Sequence, residues 1–206
     1  MGTQLGMRRS LSWLLRADAR HPAPRHAAPR RPSDGTPRWG RAITVAERIE
    51  RAHALDRPVR ALSDTVVRAL PPGPRTDLLH GVPFGQPAHP ALVRLPLGCW
   101  SSAVLLDLFF SAERPAVTLI SAGLLASLPA TATGLADWSA LHQHQQRVGI
   151  VHAASQLGAT SLFGLSLLAR AAGRRTEGKI LSVGGLTVAT ASAYLGGHLA
   201  LRLGVA

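Results

Sequence analysis

Six histidines lie from residue 80 onward: His80, His89, His142, His144, His152 and His198. A neutral imidazole is a common transition-metal ligand and an axial ligand of haem iron, and its proton comes and goes near neutral pH. Two ligand sets suggest themselves. His152 and His198 each stand about one turn inside an apolar segment, measured from Arg147 and Arg202. Residues at matched depth on facing helices suit the axial pair of a b-type haem, and Gly196 and Gly197 leave room for a macrocycle. His142-x-His144, with His89 and Asp137, offers donors of the type that zinc, copper or iron takes. The competing reading is structural: each imidazole donates to a nearby carbonyl or caps a helix end. Ionisable groups within a membrane are costly and mark function by default, which keeps the ligand readings in play.

The elements that must position these residues follow from how charge and apolar mass are segregated. The net charge is +12, yet mean hydropathy is positive. All Lys and Arg before residue 80 are Arg, 15 of the 23 in the chain. Four apolar segments follow, at 91–111, 116–135, 148–169 and 180–201. Each is about 20 residues, enough at 1.5 Å per residue to cross a hydrocarbon core of about 30 Å. Short connections make neighbours antiparallel, so the fold class is all-α, a four-helix transmembrane bundle over 91–205. Small residues recur at spacing four, as Ala122, Ala126, Ala130 and Gly134, and as Gly185, Ala189, Ala193 and Gly197. Such stripes let membrane helices approach closely.

Ahead of the spans, residues 1–41 read as a disordered Arg/Pro-rich tail with little to bury. Residues 10–17 are too short and too Arg-flanked for a signal peptide, so insertion is expected to rely on the spans. Residues 42–72 read as two short amphipathic helices at the membrane surface, interrupted at Pro58. Ile43, Ala46 and Ile49 make the first stripe and Val59, Leu62, Val66 and Leu70 the second. Thr44 and Glu47 form a capping-box pattern. Residues 73–90 read as a loop.

With four spans, both ends of the bundle and the loop 136–147 share one face, side A, where all six of these histidines fall. Short-loop charge (Arg114, Arg170, Arg174, Arg175 and Lys179 against Arg147 and Arg202) favours side B inside. The Arg-rich tail favours side A in the cytoplasm, which is the orientation expected here. Arg94 is expected to snorkel outward, Asp107 to sit at a helix end, and Gln156 to bond across helices. Cys99 is alone, so no intramolecular disulfide forms. Phosphate-loop, dinucleotide, nucleophile-elbow and HExxH patterns are absent, which leaves a soluble-type active site without support. No nucleic-acid fold accompanies the basic tail.

The runs LLHGVPFGQPAHPALVRLPLGCW (78–100), ATGLADW (132–138), RVGIVHAA (147–154) and GGHLALRLGV (196–205) resemble the DUF2231 family of predicted bacterial membrane proteins, actinobacterial type, over roughly 45–205. The resemblance implies a four-span domain in a bacterial plasma membrane. Some members carry a Rieske-type iron–sulfur domain, which implies a redox context and a Rieske-type or other redox protein as partner. His89, His152 and His198 match the family's span histidines, and Asp137 and Trp138 the end of its second span. Gln86 and Arg94 depart from it and thin the ligand set. The expectation is an integral membrane protein with a His-lined pocket at one face, holding haem or a transition metal. Its rival is a non-catalytic scaffold. The bilayer is a partner in both, and a second copy of the chain is a further candidate.

Overall fold

The computed structural model describes residues 45–110 and 112–205, which are predominantly helical, joined by short turns, with no strand among them. The tail 1–41 and Thr44 of the capping-box pattern lie outside the described residues. A helical segment at 45–50 (α1) opens the described chain. A 3-10 turn, His53–Leu55, leads into α2, Asp56–Ala69. Pro58 therefore interrupts nothing. It falls in the first turn of α2, where a missing N–H costs no helical bond.

The segment expected as a loop is partly helical. Pro74–His80 forms α3, with Pro at its first position and Gly81 at φ 80° closing it. Those are ordinary start and stop signals. Val82–Phe84 then makes a 3-10 turn.

The first span combines α4 (Ala88–Leu92), α5 (Arg94–Leu105) and a π turn over Leu106–Phe110. Pro96 explains the break at Val93, since it cannot donate to the carbonyl of Leu92. The other spans are α6 (Glu113–Ser139), α7 (Gln143–Ala171) and α8 (Arg175–Arg202). At 23, 27, 29 and 28 residues, the four spans overrun the apolar segments read from sequence. Hydropathy marks only the part inside hydrocarbon, whereas the polar end turns continue the helix into the headgroup layer.

Large side chains of one helix sit over glycines of the next. Trp100 lies over Gly123, Trp138 over Gly149, Phe163 over Gly185 and Arg170 over Gly178. The small-residue stripes accordingly run differently from expectation. Ala122 and Ala193 are exposed, while Gly123, Ser127 and Ala130 on α6 and Gly185, Ala189 and Ser192 on α8 are buried. A spacing of four drifts by about 40° per step on a 3.6-residue helix, so a packed seam must alternate threes and fours.

The bundle is two equivalent hairpins. Adding 63 to a first-span number gives its counterpart in α7, and adding 62 to an α6 number gives its counterpart in α8. The buried α6 positions Ala116, Ile120, Gly123, Ser127, Ala130, Thr133 and Ala136 map onto Gly178, Ser182, Gly185, Ala189, Ser192, Leu195 and His198, all buried. Counterparts also meet each other. Trp100 stacks on Phe163 at 4.5 Å between ring centres. Asp107 pairs with Arg170, and Glu113 Oε2 with Arg175 Nε at 2.5 Å. Like-to-like contact occurs only at a two-fold axis. Both hairpins run from side A to side B and back, so this local axis lies along the bundle, as in other parallel membrane repeats. α6 against α7 and α8 against α5 are its two equivalent crossings.

Candidate functional site at the side A mouth

The short helices close the side A end of the bundle. Ala46 is buried against Val148, Leu195 and Leu199, while Val59 and Val66 pack with Trp138. Trp138 is held in turn, its Nε1 donating to the carbonyl of Gln146 at 2.9 Å. The apolar stripe of α2 is thus spent on the bundle. Its outward side, with α1 and α3 and the turn between, exposes Arg48, Arg51, Arg57, Arg60, Arg68 and Arg75 against Asp64, Asp77 and the half-buried Glu47, the last paired with Arg51.

Charged contacts fasten this cap. The Arg147 guanidinium donates from Nε to Asp56 Oδ1 at 2.7 Å and from Nη1 to the carbonyl of Glu50 at 2.7 Å, with His53 Nδ1 2.9 Å from Nη2. The hydrogen bond from Arg147 holds the Asp56 carboxyl below the usual carboxylate range, outweighing the opposite push of burial. His198, 6% exposed, places Nε2 2.6 Å from Glu50 Oε1. His80 Nδ1 lies 2.7 Å from Asp137 Oδ1 and ties α3 to the end of α6.

The expected ligand sets can now be placed. Of the two histidines expected as an axial pair, His198 has its Nε2 engaged by Glu50 and His152 has its Nδ1 engaged by the Ser192 carbonyl. The room expected at Gly196 is filled by the His152 ring, whose Cε1 is 3.2 Å from where a Cβ would stand, although the space beside Gly197 is open. Asp137 is partnered by His80 rather than His89. His142 caps α7 through a capping box with Gln145, and His144 lies exposed, its ring 6.2 Å from that of His142. Among the described residues no group of three or more His, Cys, Asp or Glu is arranged to hold a metal ion.

His89 and His152 share a different geometry. His89 Nδ1 donates to the carbonyl of Ala130 at 2.8 Å, and His152 Nδ1 to that of Ser192 at 2.9 Å. A carbonyl can only accept, so the neutral rings carry hydrogen on Nδ1 and leave a lone pair on Nε2. Each ring lies over a glycine of its own hairpin, His89 over Gly134 and His152 over Gly196. Two apolar surface grooves, of about 440 Å³ beside Pro58 and Ile150 and about 280 Å³ beside Leu165 and Leu181, touch no histidine.

Sequence reasoning missed three partners. Glu50 follows Ile49 and lies one turn from Ala46, so it belongs to the apolar side of α1, and that position was the available signal. Asp56 gave none. Asp107 is no loose helix-end carboxylate: the π turn directs it inward, where it is 3% exposed and paired with Arg170. Arg170 also reaches Ser166 Oγ at 3.1 Å and Ser182 Oγ at 3.4 Å, and Lys179 Nζ donates to the Asp107 carbonyl at 3.0 Å. Gln156 makes no cross-helix bond at Oε1, which is buried without a partner, as is Trp100 Nε1.

Neither the curated proteins nor the solved structures contain a match to this chain. The family model described as "Predicted membrane protein (DUF2231)" matches residues 85–206, beginning after α3, so the cap helices lie outside the matched region. With four helices long and apolar enough to cross a bilayer and more than half of its length matched, the chain belongs to the DUF2231 family of predicted membrane proteins.

Proposed function

We propose that the protein is a membrane-embedded assembly subunit that holds a basic helical cap at one face of the bilayer and presents it to a partner. One observation carries this reading: three sets of polar contacts at the side A mouth fasten the cap. His198 goes to Glu50, Arg147 to Asp56 and the Glu50 carbonyl, and His80 to Asp137. What remains outward is an arginine face, complementary to anionic headgroups and to an acidic protein surface. The reading puts the protein in a bacterial plasma membrane with side A in the cytoplasm, where the Arg-rich tail adds to the same field. A redox protein with an acidic docking face is one partner of the required kind.

Site-specific photo-crosslinkers at Arg60 and Arg68 test it in native membranes. A discrete protein or anionic-lipid adduct is expected at both, lost when Glu50→Gln and Asp56→Asn together release the cap. Adducts no different from those at lipid-facing Leu125 and Leu128 would refute it.

A further inference from the structure

The smaller of the two surface grooves lies at the side B end, between the last turns of α7 and the first turns of α8, and has a volume of about 280 Å³. Leu165, Leu168 and Leu181 line its apolar part, and Ala172, Arg174 and Glu177 its polar end. Leu165 and Leu168 are 50% and 67% exposed, so the groove opens outward and not onto the core. Leu165 and Ala172 stand two turns apart, about 10 Å along α7.

The groove straddles the membrane boundary. The third apolar segment ends at Ala169 and the fourth begins at Ile180, so the three leucines belong to hydrocarbon and Arg174 and Glu177 to the headgroup layer. The turn holds the polar end in place. Ala172, Gly173 and Arg174 donate backbone N–H groups to the carbonyls of Leu168, Arg170 and Ala169 at 3.0, 3.0 and 2.8 Å, with Gly173 at φ 77°. Arg174 and Glu177 are thus carried on ordered backbone, and they pair with each other.

We propose that this groove binds one phospholipid whose headgroup carries both a phosphodiester and a primary ammonium, with an acyl chain laid along Leu165, Leu168 and Leu181. This goes beyond the assembly reading, which concerns side A, and does not depend on it. Charge selects the headgroup. The other cations of the turn are committed: Arg170 to Asp107, Arg175 to Glu113 and Lys179 to the Asp107 carbonyl. One cation and one anion are left to line the groove. A zwitterionic headgroup answers both, since the guanidinium takes phosphate oxygens through parallel N–H bonds and the carboxylate accepts from the ammonium. A headgroup with phosphate alone would compete with Glu177 for Arg174 and leave that carboxylate without a counter-charge.

Native mass spectrometry of the full chain, released from nanodiscs of equal phosphatidylethanolamine and phosphatidylglycerol, tests the site. One phosphatidylethanolamine should be retained, preferred over phosphatidylglycerol by about 5-fold, the most that an exposed ion pair supplies. Glu177→Gln removes the ammonium's partner and should erase the preference while a lipid is still held. Ala172→Trp fills the polar end and should lose the lipid, whereas Leu125→Trp, at a position 69% exposed on α6, should keep it. Retention in proportion to nanodisc composition, or a preference for phosphatidylglycerol in the parent, overturns the proposal. So does a preference that survives Glu177→Gln, a lipid that survives Ala172→Trp, or a second copy of the chain retained in place of lipid. If Ala172→Trp fails to fold, the selectivity of Glu177→Gln decides alone.

Discussion

Removing the Asp107 charge should be the most damaging conservative change in the bundle. Asp107 and Arg170 have side chains 1% and 2% exposed, on the first span and α7. Asp107→Asn keeps the shape and strands the guanidinium beside Ser166 and Ser182, whose hydroxyls solvate it without neutralising it. Breaking a buried pair from one side costs about 3–5 kcal/mol. For a chain of this size that is a fall in Tm of roughly 6–20 °C. The double change Asp107→Leu with Arg170→Met removes both charges and should recover most of the loss, because the desolvation cost vanishes with the attraction. Reversible unfolding of the purified protein in mixed detergent micelles measures all three, and a double-mutant cycle isolates the coupling. A loss under about 1 kcal/mol for Asp107→Asn, or a double variant worse than either single one, would show that the pair does not hold the side B end together.

Three further outcomes follow from particular contacts. Gly185→Ala should cost about 1–3 kcal/mol, since a Cβ there meets Phe163 Cε2 at 2.9 Å and the Ala159 carbonyl at 3.3 Å, whereas Gly197→Ala meets nothing within 4 Å and should be nearly silent; equal melting temperatures would contradict the seam. Asp56 has a lowered pKa in the folded protein, so its contribution to cap docking is present above the unfolded carboxylate range and is lost as pH falls through the lowered value. Cap protection from hydrogen exchange should therefore weaken as pH falls below the ordinary carboxylate range, and Arg147→Gln should flatten that dependence. Reporter fusions after residues 113, 142, 175 and 206 should alternate in accessibility, and equal signals at 142 and 175 would exclude four spans.

The spans were legible because a bilayer imposes one demand, about 20 apolar residues, that sequence meets or fails locally. The ends were less so: the capping box at His142 and Gln145 extends α7 beyond its apolar stretch, and hydropathy cannot see it. Helix signals at Pro74 and Gly81 were present in a segment read as loop, outweighed there by its Pro and Gly content. Position along each helix was readable, since the apolar segments fix how far each histidine stands from a span end. Azimuth was not. Whether His152 meets His198 or Ser192 depends on rotation of one helix against another, fixed by contacts 40 or more residues apart. The same holds for Arg147 with Asp56, 91 residues away, and Arg170 with Asp107, 63 away. The hairpin repeat escaped notice because its counterparts share role and burial rather than residue type: Asp answers to Arg, Ile120 to Ser182, Ala136 to His198.

The central claim is that Arg147 and His198, through Asp56 and Glu50, bolt α1 and α2 onto the spans. Hydrogen–deuterium exchange of the full chain in nanodiscs tests it most directly, read over 45–69 and over the spans separately. The account predicts slow exchange at 45–69 in the parent and fast exchange there in Glu50→Gln with Asp56→Asn, with the four spans unchanged. Fast exchange at 45–69 in the parent, or protection that survives both substitutions, would contradict it.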